Sequence, residues 1–276
     1  MSKLNLVRWY GGKYFIAKWI IEHLPEGKIY VEPFGGGANV LLNKPPHPVE
    51  VYNDINGDLV NLFRTIQDES RFEKLMTRLE WTLFSLDEFE KAREIMLVSE
   101  DSDERAWAFF VIMNQGFAGN PHIDRTIWSR SPYISSSGKS HRTSSWIGHI
   151  NRLSEIRDRL IRVQIENRDA LDVIRYWDRD DTVFYLDPPY PMESRRSSTY
   201  PDEFYDHSAL IELLKTIKGN FALSSYDGTV YESLLDISGV RKYVKEVPVH
   251  SLGMVKTYKE KTRPRVVEVL YVKEKS

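Results

Sequence analysis

Asp187-Pro188-Pro189-Tyr190 brings together groups that could grip a planar amine. The aspartate is an acceptor-only carboxylate when ionised, Pro188 offers a carbonyl with no N–H of its own, and Tyr190 adds an aromatic face. The apolar run Val183, Phe184, Tyr185, Leu186 precedes them with the length and residue types of a buried strand. Two prolines stop that strand from continuing, so the polar turn sits at its C-terminal end. Open α/β sheets bind their ligands at such ends.

Two upstream stretches could hold a second reactant. In Glu32-Pro33-Phe34-Gly35-Gly36-Gly37 a glycine turn follows the short strand Ile29, Tyr30, Val31, and the run Asn39, Val40, Leu41, Leu42 reads as the helix after it. Strand, glycine turn and helix make the first crossover of a Rossmann-like sheet. A second strand with Val49, Val51 and Tyr52 ends in Asn53-Asp54, and Asp54 lies 19 residues beyond Gly35. An acidic residue about 20 residues after the glycines reaches ribose hydroxyls in such folds, which favours an adenosine-containing ligand. Arg8-Trp9-Tyr10-Gly11-Gly12-Lys13 adds a glycine pair flanked by aromatics and closed by a lysine, a weaker signal taken alone.

The elements that must position these groups divide the chain. Strands and helices alternate up to about residue 68 and again from 161, while 69–160 is mainly helical. Phe72, Leu75, Met76, Leu79 and Leu83 mark one face of an amphipathic helix, Ser85 to Glu88 looks like a capping box, and a third helix runs from Asp103 towards Asn114. Residues 117–146 read as a long loop rich in Ser, Gly and Pro, with Arg125, Arg130, Lys139 and Arg142 among Trp128, Tyr133 and Trp146. Basic groups mixed with serines and aromatics suit phosphate contacts and base stacking. A helix over 147–160 carries Arg152, Arg157 and Arg159 and extends the same basic face. Later strands are expected at 161–165 and 221–224, and an antiparallel pair at 244–249 and 266–272. Between that pair lies a second basic segment from Lys256 to Arg265.

Composition sets limits. The 276 residues can bury a full core, 41% are hydrophobic and the mean hydropathy is -0.44. No apolar run approaches the roughly 20 residues of a membrane span, and residues 1–10 lack a signal-peptide core, so a cytoplasmic protein is expected. Net charge is -2, which leaves room for a local basic face but not for a uniformly basic nucleic-acid binder. The absence of cysteine excludes disulfides, cysteinyl zinc sites, Fe–S clusters and thiolate nucleophiles. No metal site is expected.

The four ordered motifs, from Arg8-Trp9-Tyr10-Gly11-Gly12-Lys13 through Glu32 to Gly37 and Asn53-Asp54-Ile55-Asn56 to Asp187-Pro188-Pro189-Tyr190, resemble the Dam-like, alpha-group adenine-N6 DNA methyltransferases. The resemblance covers most of the chain outside 69–160. It implies an α/β, Rossmann-like S-adenosylmethionine-dependent methyltransferase sheet, with residues 1–68 and 161–276 catalytic and 69–160 an inserted target-recognition domain. It further implies that Trp9, Lys13, Phe34, Gly35, Gly37, Asp54, Asp169 and Asp187 border the cofactor. Asp187, Pro188 and Tyr190 would act on an adenine flipped out of duplex DNA. Among partners, it admits a cognate restriction endonuclease.

The lack of cysteine excludes cytosine-C5 methylation, which needs a thiolate. Cytosine-N4 methylation uses similar exocyclic-amine chemistry and is not excluded by mechanism; the aspartate at the first motif position and the motif order favour adenine. A non-catalytic DNA-binding protein on this scaffold would have no use for an intact Asp187, Pro188 and Tyr190, and a nucleotide-dependent oxidoreductase leaves the Asp187 turn unexplained. The insertion lacks the Arg-Tyr-Asn and Phe-Asn-Val-Pro stretches associated with Dam proteins reading GATC, which leaves the target sequence open.

Overall fold

Strands rich in Val, Ile, Tyr and Phe assemble into one sheet in the computed structural model, which describes residues 3–117, 126–136, 138–191, 206–248 and 265–274. They are β1 (Ile29–Glu32), β2 (Val49–Asn53), β3 (Gln164–Glu166), β4 (Thr182–Leu186), β5 (Asn220–Tyr226), β6 (Val240–Pro248) and β7 (Arg265–Lys273). The spatial order is β3-β2-β1-β4-β5-β7-β6. The first five run parallel, and β7 lies antiparallel between β5 and β6. All five residues of β4 are buried, as expected of a central parallel strand covered on both faces. Strand order reverses between β1 and β4, the position at which doubly wound sheets open a crevice beyond the strand ends. Both the Glu32 and the Asp187 turns leave the sheet there.

Nine α-helices lie among the described residues: α1 (Ala17–Ile21), α2 (Gly57–Gln67), α3 (Glu69–Glu80), α4 (Leu86–Val98), α5 (Ser102–Gln115), α6 (His141–Asn151), α7 (Leu153–Leu160), α8 (Ala170–Trp177) and α9 (His207–Thr216). Side-chain caps start several of them: Asn56, Asp68, Ser85 and Asp101 each accept a first-turn backbone N–H. Helix α5 is buried at every residue from Ala106 to Gln115, apolar nearly all round because α2 and α4 cover it. One core therefore joins Tyr30, Tyr52 and Tyr185 of the sheet to Trp107, Phe109 and Phe110 of α5. A second core on the opposite sheet face holds Val31, Phe184 and Leu186 against Leu210 and Leu214 of α9.

Several local expectations change. Residues 39–42 form successive turns rather than a helix. Ala38 has φ 52, and the prolines at 45 and 46 leave too little chain for a helix to propagate. Helix α3 ends at Glu80, so Leu83 lies outside it and is 70% exposed. Trp146 belongs to α6 rather than to a loop, and the helix expected over 147–160 is broken at Arg152. The strand expected from Ile161 begins only at Gln164. Helix α8, capped by Asp169, is an addition to the expected elements. The antiparallel pair at the end is present and longer than expected. No helix among the described residues is long and apolar enough to cross a membrane.

Candidate active site

The crevice beyond β1 and β4 is a cavity of about 240 Å³, lined by Trp9, Lys13, Phe34, Gly35, Gly37, Asp54, Asp169 and Asp187 among others. Local backbone bonds build its wall. Gly35 N–H donates to the Asn53 carbonyl at 2.8 Å, and Gly36 N–H to Asp54 Oδ2 at 2.8 Å. Asp54 Oδ1 also accepts from Asn56 N–H at 2.8 Å, so one carboxylate ties the glycine turn to the end of β2. Asn53 is fully buried and bonds the Pro33 carbonyl at 2.8 Å and both the N–H and the carbonyl of Arg168. It joins the loops after β1, β2 and β3, a structural role that its place in the Asn53-Asp54 motif does not announce. Glycine at position 35 is dictated by packing: a Cβ there would stand 2.1 Å from the Tyr52 ring.

The lining chemistry is distinctive. Glu32, Asp54, Asp169 and Asp187 contribute four carboxylates against Lys13 and Arg168. Asp169 spends one oxygen capping α8, accepting from Leu171 N–H and Asp172 N–H. Asn39 Oδ1 is buried at this wall with no hydrogen-bond partner among the described residues. An acceptor-rich, net acidic cavity suits a ligand with hydroxyls, amine hydrogens and positive charge, and repels the pyrophosphate of a dinucleotide. S-adenosylmethionine carries the favoured groups.

At the base of the cavity, Lys13 Nζ lies 2.8 Å from Asp187 Oδ1 and donates to the Gly11 carbonyl at 3.0 Å. Burial pushes the Asp187 carboxyl up to about 6, against the opposing pull of Lys13. Burial works against the Lys13 charge as well, but Asp187 and then Glu268 outweigh it and its pKa is raised. Glu32 is 1% exposed and accepts the Tyr30 hydroxyl at 2.7 Å; burial raises its carboxyl to about 7. Tyr190 is 8% exposed, with its hydroxyl on Glu268 and the Lys13 ammonium 4.7 Å from its ring centroid. A base stacking on that ring must share the face with Lys13 or displace it.

A larger cleft, about 1320 Å³, adjoins the cavity, and Trp9, Tyr10 and Lys13 line both. Its other walls include Arg8, Arg130, Arg142, Arg152 and Lys245. Arg8 donates from Nη2 to Ser145 Oγ at 2.9 Å, which joins the first motif to α6. Of the residues expected to touch DNA, Arg130 is exposed and lies 6.0 Å from the Trp128 ring centroid. Arg142 is half-buried in the cleft, and burial lowers its pKa. Lys139 is exposed but outside the residues lining the cleft, and Arg125 lies outside the described residues, as does most of the second basic segment. Arg159 turns away from the expected basic face and pairs with the buried Glu50, Nη1 to Oε2 at 2.6 Å. Arg8 and Glu32, which stand in the motifs without an assigned role, and Asn39, Tyr226 and Glu268, to which the sequence assigns no site role, also line the cavity or the cleft.

This sheet order, with a ligand-sized cavity at its switch point, defines a Rossmann-like α/β fold. The family model of the D12 class N6 adenine-specific DNA methyltransferase matches residues 9–258, and the chain belongs to that family. Among curated relatives, the DNA N-6-adenine-methyltransferase of Escherichia phage P1 is 39% identical over 24% of this chain and 9% of its own length. The DNA adenine methylase of Serratia marcescens is 36% identical over 34% of this chain and 33% of its own. The Retron Ec67 DNA adenine methylase of Escherichia coli is 26% identical over 67% and 63%. The chain thus spans less than two thirds of the length of each of these relatives.

Proposed function

We propose that the protein transfers a methyl group to N6 of adenine in DNA, with S-adenosylmethionine as donor. The observation that carries this reading is the meeting of an acidic cavity and a basic cleft at Lys13, whose ammonium lies 2.8 Å from Asp187 on the cavity side. S-adenosylmethionine, when bound, supplies an electrophilic methyl group. Trp9, Phe34 and the turn from Gly35 to Gly37 would border it, Asp54 would take the ribose hydroxyls and Asp169 the adenine end.

The chain's own part is to make a poor nucleophile better. The N6 lone pair of adenine is delocalised into its ring. Asp187 and the Pro188 carbonyl accept hydrogen bonds from its two hydrogens, favouring a more tetrahedral nitrogen held in line for attack. No covalent enzyme intermediate is needed. The base must leave the helix to reach Asp187, and Tyr190 offers it a stacking partner. We assign target recognition to residues 69–160, whose Arg130 and Arg142 line the cleft. A restriction endonuclease of matching specificity is the protein partner this reading admits. An extract of the source cells that cuts unmarked but not marked DNA would reveal it.

Methyl-tritiated S-adenosylmethionine and unmethylated chromosomal DNA test the reading, with nucleoside mass spectrometry of the product. N6-methyladenine is expected; N4-methylcytosine would shift the substrate to cytosine, and no incorporation would refute methyl transfer.

A further inference from the structure

Strand β7 alternates between the two cores. Val269 and Tyr271 belong to one, Leu270 and Val272 to the other. Glu268 falls in step with Leu270 and Val272 and is 8% exposed, so a carboxylate occupies a position where the pattern calls for an aliphatic side chain. Such a group costs free energy unless it is held. The Tyr190 hydroxyl donates to Glu268 Oε2 at 2.8 Å, across 78 residues of sequence. In the β5–β7 register Glu268 stands opposite Tyr226, whose ring meets that of Tyr190 at 4.5 Å and 76°. Adjacent antiparallel residues thus grip one ring, Glu268 at its hydroxyl and Tyr226 edge-on. Both line the larger, basic cleft.

We infer that Glu268 is a positioning residue for methyl transfer: through the Tyr190 hydroxyl it fixes the plane of the aromatic ring against which the acceptor base packs. The inference rests on the methyltransferase reading above. The Pro188-Pro189 pair restrains the main chain before Tyr190, which leaves the ring torsions as the freedom to be fixed. The hydroxyl bond fixes them at a point the base does not need. Glu268 also adds to the negative charge that keeps Lys13 protonated beside Asp187.

The test is a double-mutant cycle on the full chain with Glu268→Ala, Glu268→Gln, Tyr190→Phe and the double variant Tyr190→Phe/Glu268→Ala. Tritiated methyl transfer to unmethylated chromosomal DNA gives kcat and KM, and thermal unfolding checks the fold. Tyr190→Phe and Glu268→Ala are each expected to lower kcat about tenfold, with KM for S-adenosylmethionine within about twofold of wild type. The double variant should be no slower than the slower single, since both remove one bond. Glu268→Gln should recover most of kcat, because its amide oxygen accepts the same bond. Unchanged kcat in Glu268→Ala, or losses that multiply in the double variant, would overturn the inference while leaving methyl transfer intact. If Glu268→Ala does not fold, Tyr190→Phe decides: wild-type kcat in that variant overturns it. A wild-type protein that transfers no methyl group sinks the methyltransferase reading, and the inference with it.

Discussion

Lys13 Nζ sits 2.8 Å from Asp187 Oδ1 while also forming part of both the acidic cavity and the basic cleft. The ammonium favours the ionised form of the carboxylate, the form that would accept the amine hydrogens in the proposed reaction. It does so where burial pulls the other way, so Asp187 titrates within reach of ordinary assay conditions.

The activity should therefore have an acid limb set by Asp187. Its carboxyl is raised from 3.8 to about 6. Above that pH it accepts hydrogen bonds; below it, the proton it carries competes with the substrate's. Transfer on unmethylated DNA should fall about tenfold per pH unit below the limb. Lys13→Met removes the charge that lowers this pKa, so its normalised profile should shift to higher pH. A Lys13→Met profile superimposable on wild type would contradict this electrostatic role.

Replacing the acceptor itself separates chemistry from binding. Asp187→Ala should reduce methyl transfer by about a thousandfold or more. Because the basic groups of the cleft are untouched, DNA affinity by fluorescence anisotropy should stay within a few-fold of wild type. Loss of DNA binding in step with activity would instead make Asp187 a structural support of the cleft.

Glu32 predicts a pH-dependent stability. Its pKa rises from 4.5 to about 7 on folding, so its favourable contribution is full below 4.5 and lost as pH rises through 7. Glu32→Gln keeps an acceptor for Tyr30 without the buried charge. Relative to wild type it should gain on the order of 2 kcal/mol in chemical denaturation at pH 8, with the gain shrinking towards pH 4.5. An equal difference at both pH values would remove Glu32 as the cause.

How far these features were legible depends on the range of the interaction that makes them. The strand before Asp187 and β7 announce themselves in runs of Val, Tyr, Phe and Leu, because burial on a sheet selects those residues locally, and β6 shows valines and a tyrosine among charged residues. The turns at 39–42 do not, since apolar residues there fit a helix equally well and Ala38's positive φ is invisible in sequence. Arg159 looks like a surface base until α7 packs it on Glu50. The cavity motifs were readable as turns at strand ends, whereas the Tyr190–Glu268 bond needs the sheet order to bring β7 beside β5. The one local trace of it was a carboxylate in step with Leu270 and Val272.

The buried Glu50 offers a prediction about folding. Its side chain is fully buried and receives Lys44 and both terminal nitrogens of Arg159, the latter at 2.6 and 2.7 Å. Arg159 also donates to the Leu41 carbonyl at 2.8 Å, so α7 is tied to the turns after the glycine loop. Arg159→Ala leaves the buried Glu50 carboxylate without its two guanidinium hydrogen bonds, with Lys44 still paired to it, and should cost about 3 kcal/mol in urea unfolding.

Electrostatic contacts in the cleft should be readable through salt. Arg142 is half-buried among cleft residues and Arg130 exposed at the same wall, while Lys139 lies outside that lining. If Arg142 and Arg130 neutralise phosphates, each change to Gln should weaken DNA binding across sequences and reduce the slope of log affinity against log salt by about 1. Lys139→Gln should have a smaller effect on both. Anisotropy titrations from low to moderate salt measure this directly. A change at Lys139 as large as that at Arg142 would move the DNA path off the cleft, because a side chain outside its lining would then carry a full phosphate contact.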